Sequence, residues 1–195
     1  PVLAEHRRTE RRMDIPGHLQ EKFFIQAVSD ISHLEKDGLF LEGTGSVVLD
    51  HNRQIAYACL SPRTSQGGLD AFERASGYQP FVFAAEDLRG EPIYHTNMVL
   101  SIGETFAIVC ADAIPNSEDR VKLIDSLIMN DLDIIPISRK QMEQHFAGNC
   151  LQLISTNRQR WLVMSRTAYE SLDLEQIKKI KSHCGILPID IPTIE

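Results

Sequence analysis

Apolar and polar positions follow the same order in three stretches of this chain. Each stretch is an apolar run, a short polar turn and a second apolar run, which is typical of a β-hairpin. The stretches cover residues 45–60, 96–111 and 148–165, and their turns open at Asp50, Ser101 and Ser155. A unit that recurs about every 50 residues indicates a repeat architecture arranged as a ring or an array.

Helices are predicted between the hairpins, where the apolar positions recur with a period near 3.6 instead of two. One helix begins at Ser117, ahead of two acidic residues, with Val121, Ile124 and Ile128 as its buried stripe. The other three end at a glycine and cover residues 25–34 before Gly38, 68–76 before Gly77 and 174–181 before Gly185.

A short third strand is predicted after most of the helices, over residues 80–84, 133–137 and 186–191. Each unit therefore consists of a hairpin, a helix and a strand, so that the helix packs on the strands of its own unit. Units of this ββαβ type placed around an axis form an α/β propeller. A doubly wound parallel sheet is the weaker alternative, because two runs joined by a short turn are antiparallel.

The repeat count also predicts the extent of the domain. Three hairpins with their flanking strands amount to between three and four units, whereas a closed ring of five would need roughly 250 residues. We therefore expect residues 1–195 to form a single domain whose ring is incomplete and truncated at both ends. The hydrophobic fraction of 43% suits one domain with a sizeable core.

Charge and hydropathy exclude several classes of partner. The net charge is −7, and acidic neighbours dilute the basic cluster of Arg7, Arg8, Arg11 and Arg12. We interpret this cluster as solvated surface, so no nucleic-acid partner is expected. No apolar run reaches the roughly 18 residues of a membrane span, so no membrane partner is expected. The pattern leaves open whether the chain forms a homo-oligomer.

The four cysteines are not spaced as disulfide or metal ligands. None belongs to a Cys-x-x-Cys pair, and three lie in apolar strands, which indicates free buried thiols in a reducing cytoplasm. No His/Cys cluster has metal spacing and no glycine loop cradles a phosphate, so neither a metal nor a cofactor is expected. Gly43 and Gly45 are expected inside the first hairpin and not at the start of a helix.

Polar residues just ahead of the hairpins are the candidates for chemistry, because these positions face the central cavity of a propeller. A carboxylate at Glu42 can hold a guanidinium or urea N–H, although an exposed turn glutamate fits the spacing equally well. His95 is placed for proton transfer, with a capping or core histidine as the alternative. Asn149 is also compatible with plain turn chemistry. Arg63, at a strand end, suits capture of a substrate carboxylate, with a surface arginine as the alternative.

Four motifs, in order, resemble the guanidino-group-modifying enzymes of the pentein superfamily. They are Leu41-Glu-Gly-Thr-Gly-Ser, Leu60-Ser-Pro-Arg-Thr-Ser, Tyr94-His-Thr-Asn and Ala147-Gly-Asn-Cys-Leu. The match looks closest to the amidinotransferase-like branch that includes citrulline ureidases, and it extends to arginine deiminase and dimethylarginine dimethylaminohydrolase. The resemblance implies a five-bladed α/β propeller, here one pentein-like catalytic domain, with its active site on the axis.

The resemblance also implies roles for single residues. Glu42 would bind the guanidino or ureido nitrogens of a small amino-acid substrate, and His95 would be the general acid/base. Arg63 would hold the α-carboxylate of that substrate, and Asn97 and Asn149 would complete the substrate-binding set.

The nucleophile of the resembled family is a cysteine in a glycine-rich segment near the C-terminus. Neither Cys150 nor Cys184 matches that segment, so we expect the nucleophile beyond Glu195. The first blade of the ring, which supplies a further acidic substrate-binding segment, is expected before Pro1.

One departure from the resembled family bears on the substrate. The arginine hydrolases carry His-x-Asp, whereas this chain has His95-Thr96-Asn97. Asparagine is neutral and both donates and accepts hydrogen bonds, and a buried charge without an opposite partner is unfavourable. We therefore expect a neutral ureido substrate and a hydrolase that converts citrulline to ornithine. The alternatives are an amidinotransferase, an arginine or dimethylarginine hydrolase, and a non-enzymatic pentein binding module.

Overall fold

A computed structural model describes residues 1–191, and within them the strands form three small mixed sheets. Each sheet has three strands, and no strand is shared between sheets in this part of the chain. The strands are β1 (Val47–Asp50), β2 (Ile55–Cys59), β3 (Gln79–Phe83), β4 (Leu100–Ile102), β5 (Phe106–Val109), β6 (Asp133–Pro136), β7 (Leu151–Ile154), β8 (Arg160–Ser165) and β9 (Gly185–Ile189). Each run of three consecutive strands makes one sheet.

The three sheets share one topology, which confirms the α/β class and the ββαβ repeat. The first two strands of each sheet are antiparallel, and the third runs parallel to the second. At least one helix lies between the second and third strand of each unit. The α-helices are α1 (Ile15–Gln20), α2 (Gly43–Ser46), α3 (Gln66–Ser76), α4 (Thr96–Val99), α5 (Ser117–Met129), α6 (Arg139–His145), α7 (Arg166–Ser171) and α8 (Leu174–His183).

The main hydrophobic core lies around the second unit. Every residue of β5 is fully buried, because this strand is central in its sheet and lies between the units on either side. Burying a side chain such as that of Phe106 contributes about 1.5–3 kcal/mol to folding. Gly148 shows how closely the third unit approaches the second, since a Cβ atom there would lie 2.0 Å from the carbonyl oxygen of Met98.

Short helical turns precede the first two hairpins, which corrects the sequence-based prediction for Gly43 and Gly45. These glycines lie in α2, a single turn that ends where β1 begins, and not inside the hairpin. The equivalent turn α4 precedes β4 in the second unit. In the third unit Asn149 stands in a non-helical turn ahead of β7. The turns matter because Glu42 and His95 are their N-cap residues, directly ahead of the first helical residue.

Two of the predicted helices agree only in part with the observed ones. α5 begins at Ser117 as predicted, and its N-cap is Asn116, whose side chain accepts hydrogen bonds from two backbone N–H groups. Of the predicted stripe, Ile124 is partly buried against the core, whereas Val121 and Ile128 are exposed. The helix turns Leu123 and Leu127 into the core in their place. Residues 25–31 are not helical, and only a 3-10 helix over Ser32–Asp37 precedes the confirmed glycine stop at Gly38.

The third unit exposes apolar side chains on its first strand. Leu151, Leu153 and Ile154 of β7 are exposed, whereas Leu100 of the equivalent strand β4 is fully buried. Within residues 1–191, no helix is both long enough and apolar enough to cross a membrane.

Candidate active site

Two buried hydroxyl groups bring the helical turns of the first and second units together. The Thr96 hydroxyl donates a hydrogen bond to the Ser46 carbonyl at 2.6 Å and accepts one from the Cys59 backbone N–H at 2.8 Å. Thr96 and Ser46 are both fully buried, so these bonds are shielded from water. The Ser46 hydroxyl also accepts the backbone N–H of Glu42 at 2.9 Å. These contacts fix Glu42 and His95 beside each other.

A cavity of about 460 Å³ lies over these turns, which is a typical size for a small-molecule site. It brings together three of the five predicted site residues, namely Glu42, His95 and Asn97. Arg63 and Asn149 do not line it and contact it indirectly, through Glu42 and Asn97 respectively. The lining residues are Val2, Arg7, Glu10, Arg11, Glu42, Gly43, Gly45, His95 and Asn97.

Glu42 carries a buried carboxylate with one oxygen that has no hydrogen bond. Its side chain is only 3% exposed. Oε1 accepts the backbone N–H of Leu3 at 2.8 Å, whereas no donor within residues 1–191 is hydrogen-bonded to Oε2. The Nη1 atoms of Arg63 and Arg7 lie 3.5 Å and 3.6 Å from Oε2. The negative charge is therefore compensated, but Oε2 keeps the capacity to accept a bond from a ligand.

Asn97 provides a second unsatisfied acceptor in the same cavity. Its amide nitrogen donates to Oδ1 of Asn149 at 3.2 Å, which leaves its own Oδ1 as the free end of the side chain. That oxygen is buried and, in the described part of the chain, has no hydrogen-bond partner. Buried polar atoms without partners are rare in proteins and each requires a reason. A ligand with N–H donors would give a hydrogen-bond partner to this oxygen and to Oε2 of Glu42.

The imidazole of His95 is half-buried and closely packed. A Cβ atom at residue 45 would lie 2.9 Å from Cδ2 of the ring, so glycine there is what allows the ring to lie against the backbone of α2. Burial lowers the pKa of His95, Arg63 lowers it further, Glu42 raises it and Arg7 lowers it. The ring is therefore neutral at neutral pH and can accept a proton.

Arg63 is engaged on two sides. Besides its contact with Glu42, its Cζ atom lies 4.2 Å from the centre of the Tyr94 ring. Its backbone carbonyl accepts the N–H of Glu42 at 3.2 Å. The predicted role of Arg63 in holding a substrate carboxylate stays a prediction, because its guanidinium is turned toward Glu42 and does not line the cavity.

The basic cluster near the start of the chain is not simply solvated surface, which corrects the interpretation given above. Arg7 contacts Glu42, and Arg8 and Arg11 form ion pairs with Glu35 at 3.2 Å and 2.5 Å. Only Arg12 points away, to Asp14. The contacts with Glu42 and Glu35 were not predictable from local pattern, since both carboxylates follow the cluster by more than 20 residues.

The cysteines of the chain are free thiols, and none of the cavity-lining residues named above is a cysteine. Burial raises the pKa of Cys59 to about 12, that of Cys110 to about 11 and that of Cys150 to about 12, and it also raises the pKa of Cys184. A nucleophilic cysteine needs the opposite shift, because the thiolate is the reactive form. Among residues 1–191, no group of three His, Cys, Asp or Glu side chains is arranged to hold a metal ion.

We predict that all four thiols resist alkylation while the chain is folded. With pKa values near 11 to 12, less than about 0.1% of such a thiol is ionised at pH 7.5. Mass spectrometry after treatment with iodoacetamide should show no modification of the folded chain and four modifications of the chain unfolded in guanidinium. Rapid labelling of Cys150 in the folded chain would make that residue a candidate nucleophile and contradict the prediction.

Comparison with known proteins identifies the family. A family model described as N,N-dimethylarginine dimethylhydrolase, eukaryotic, matches residues 1–195. The chain belongs to this dimethylarginine dimethylhydrolase family. The assignment confirms the resemblance to guanidino-group-modifying enzymes of the pentein superfamily. None of the curated proteins matches the chain.

Solved structures show that this member of the dimethylarginine dimethylhydrolase family has the pentein fold. ArgZ, an arginine dihydrolase from the ornithine–ammonia cycle in cyanobacteria, has a TM-score of 0.68 at 12% identity, covering 97% of this chain and 27% of ArgZ. A mutant N-terminal domain of ArgZ bound to substrate has a TM-score of 0.68 at 13% identity, covering 97% of this chain and 62% of that domain. A mutant dimethylarginine dimethylaminohydrolase from Pseudomonas aeruginosa, complexed with citrulline, has a TM-score of 0.55 at 17% identity, covering 96% of this chain and 61% of that protein.

The chain therefore spans less than two thirds of each of these three structures.

Proposed function

We propose that this chain is part of a cysteine-dependent hydrolase that cleaves a C–N bond of a ureido or guanidino amino acid, and that its substrate is citrulline, which it converts to ornithine. One observation carries the proposal. Two buried acceptor atoms without hydrogen bonds, Oε2 of Glu42 and Oδ1 of Asn97, are carried by residues that line one cavity together with the neutral imidazole of His95. A planar group with several N–H donors is the ligand that satisfies such a pair.

The charges around the cavity favour a neutral ureido group over a cationic guanidinium. Two guanidinium groups, those of Arg7 and Arg63, already lie within 3.6 Å of the Glu42 carboxylate. A third cation would gain little from a carboxylate that is already compensated, and it would be repelled by both arginines. A ureido group offers N–H donors without that repulsion. Asn97, in place of the aspartate of the arginine hydrolases, adds no negative charge.

His95 supplies the proton transfers of the proposed reaction. The neutral imidazole first takes the proton of the cysteine thiol, and the thiolate so formed attacks the ureido carbon. The bond from that carbon to the side-chain nitrogen of ornithine then breaks, and the imidazole, now protonated, gives the leaving amine its proton. The carbamoyl group stays on the sulfur. The neutral imidazole then takes a proton from water, whose oxygen attacks the carbamoyl carbon and regenerates the thiolate. The carbamate released decomposes to carbon dioxide and ammonia.

We assign the nucleophile to a segment outside these 195 residues. The raised pKa values of the four cysteines and the family resemblance both support this assignment. We propose further that the chain is one part of a single pentein-like catalytic domain. The exposed apolar side chains on β7 support this extension, because a following unit would cover them as the second unit covers β1.

Hydrolysis of dimethylarginine or arginine is the second candidate, and the family match favours it. The two candidates are separable in one assay, because dimethylarginine hydrolysis produces citrulline whereas the proposed reaction consumes it. The protein that includes the nucleophile segment is incubated with each amino acid in turn, and citrulline and ornithine are measured. Ornithine formed from citrulline supports the proposal. Citrulline that accumulates from dimethylarginine, with no ornithine formed, overturns it in favour of the second candidate.

Arg7 is expected to control the choice between the two substrates. Replacing it by glutamine removes a positive charge 3.6 Å from Glu42, so the site should accept a cation more readily. We predict that Arg7→Gln shifts the ratio of arginine to citrulline affinity toward arginine by at least about fivefold. Calorimetric titration of the chain with each amino acid measures this ratio.

The control for Arg7 is Arg12→Gln, which removes an equal charge from the same segment but at a residue paired with Asp14. This variant should leave the ratio unchanged. If Arg7→Gln instead weakened the binding of arginine and citrulline equally, Arg7 would be a ligand for the shared amino-acid end of the substrate and not a selectivity residue.

A further inference from the structure

The geometry points to Tyr94 as a positioning residue that sets the arrangement of Arg63 and His95 in the active site. The aromatic ring of Tyr94 contacts both side chains, Arg63 over its face and His95 in a T-shaped arrangement. The inference rests on the proposed function, since it concerns the same cavity, and it adds a residue that neither charge nor hydrogen bonding identifies.

The face of the Tyr94 ring holds the guanidinium of Arg63. The Cζ atom lies 4.2 Å from the ring centre, which is within the range of a cation–π contact. An arginine side chain has many rotamers. Besides the contact with Tyr94, the guanidinium of Arg63 is held by the ion pair of its Nη1 with Glu42 at 3.5 Å. Tyr94 therefore fixes the position of the Arg63 guanidinium relative to the Glu42 carboxylate.

A T-shaped contact with Tyr94 holds the ring of His95. The two ring centres are 4.7 Å apart and the planes meet at 73°, a T-shaped arrangement. The backbone of Gly45 closes the other approach, since a Cβ atom there would lie 2.9 Å from Cδ2 of the imidazole. The imidazole of His95 is thus packed between the Tyr94 ring and the backbone of Gly45, and these two contacts fix its orientation.

Tyr94 is too exposed to be part of the hydrophobic core. Its side chain is exposed at 44%, whereas the side chains of the core around it are buried. The chain at this point is fixed by its backbone, because the Tyr94 carbonyl accepts the Ser61 hydroxyl at 3.4 Å. Substitution of the ring is therefore a test of the site and not of the fold.

The position of Arg63 has a measurable effect on His95. The charged groups that face this imidazole are Arg63, Glu42 and Arg7. After burial, Arg63 is the largest cause that lowers the pKa of His95, so release of Arg63 should let the pKa of His95 rise toward its ordinary value. The expected shift depends on the ring and not on the hydroxyl of Tyr94, because the ring makes both contacts.

The experiment follows the His95 ring by NMR as a function of pH in the chain and in three variants. In Tyr94→Phe, His95 should titrate at the same pH as in the wild type. In Tyr94→Leu, His95 should titrate at higher pH. Tyr78→Leu is the matched control, since Tyr78 packs edge-on against His51 at 5.9 Å, outside the cavity, and it should leave the His95 titration unchanged. Identical titration of Tyr94→Leu and the wild type, or equal shifts in the phenylalanine and leucine variants, would overturn the inference.

A double-mutant cycle separates positioning from simple loss of burial. If Tyr94 acts through Arg63, Tyr94→Leu should shift the pKa of His95 much less in an Arg63→Gln background than in the wild type. Equal shifts in the two backgrounds would mean that the ring only shields His95 from water, and the positioning role would be wrong.

Ligand binding distinguishes failure of this inference from failure of the proposed function. Citrulline affinity should fall about two- to thirtyfold in Tyr94→Leu, the range of a lost cation–π contact, and stay unchanged in Tyr94→Phe. If the titrations behave as expected but no variant binds citrulline, Tyr94 positions Arg63 and His95 and the proposed substrate is wrong. If citrulline binds all variants equally, the substrate stands and the positioning role is contradicted.

Discussion

Replacing His95 by alanine should reduce the hydrolysis of citrulline by about 10²- to 10⁴-fold, the usual contribution of a general acid/base. The imidazole of His95 lies in the cavity, where it can take a proton from the thiol or from water when neutral and give one to the leaving amine once protonated. The side chain is only half-buried, so the variant should fold and keep a melting temperature close to that of the wild type. The measurement is ornithine formed per unit time in the protein that includes the nucleophile segment.

The matched control for His95 is His51→Ala. His51 is exposed at the turn between β1 and β2, where its Nδ1 lies 2.7 Å from the hydroxyl of Tyr78. Its loss should leave the rate of ornithine formation unchanged. Wild-type rates in His95→Ala would remove His95 from the mechanism, whatever the control shows.

Replacing Glu42 by glutamine should weaken citrulline binding and turnover together, by about 10²- to 10³-fold. Glutamine keeps the shape of the side chain and can still accept the Leu3 N–H, but it removes the charge that faces Arg7 and Arg63. The substrate would then meet two uncompensated guanidinium groups and lose a strong acceptor for its N–H groups. Calorimetry on the chain measures the affinity, and the ornithine assay measures the rate.

Glu35→Gln is a close control for Glu42→Gln. Glu35 also accepts a backbone N–H, from Val2 at 2.7 Å, and also pairs with two arginines, Arg8 and Arg11, but it does not line the cavity. Its loss should lower stability without changing affinity for citrulline. If both variants lost affinity to the same extent, Glu42 would be a structural ion pair that anchors the N-terminal segment and not a substrate ligand.

Local pattern was enough to predict most of the secondary structure. The period-two runs with short polar turns correspond to the β1–β2, β4–β5 and β7–β8 hairpins, and the third strands lie within two residues of their predicted bounds. The helix over residues 68–76 is confirmed, with two more residues at its start and Gly77 after its end. These features depend on hydrogen bonds and burial between residues close in sequence, which is why a single sequence carries them.

The remaining differences arise where distant contacts decide the structure. Apolar residues on α5 are compatible with two stripes, and only packing against the neighbouring sheet selects Leu123 and Leu127 over Val121 and Ile128. The helical turn α2 is fixed by bonds of Ser46 to residues outside it. Neither choice is visible in a local pattern of polar and apolar positions.

The site was only partly predictable, for the same reason. Glu42 and His95 could be singled out because they occupy equivalent places in two repeats, and the structure puts them in one cavity, although their catalytic roles stay predictions. Arg7 could not be found, because its contact with Glu42 spans 35 residues and depends on the path of the N-terminal segment. Tyr94 looked like part of a motif, and only its distances to Arg63 and His95 reveal a role.

The most direct test of the account is a titration of the chain with L-citrulline, observed at the imidazole signals of His95 by NMR. The account predicts a saturable shift of these signals that disappears in Glu42→Gln and persists in Glu35→Gln. His95 signals that do not move at any citrulline concentration, or that move equally in both variants, would contradict the claim that Glu42, Asn97 and His95 form one site for a ureido group.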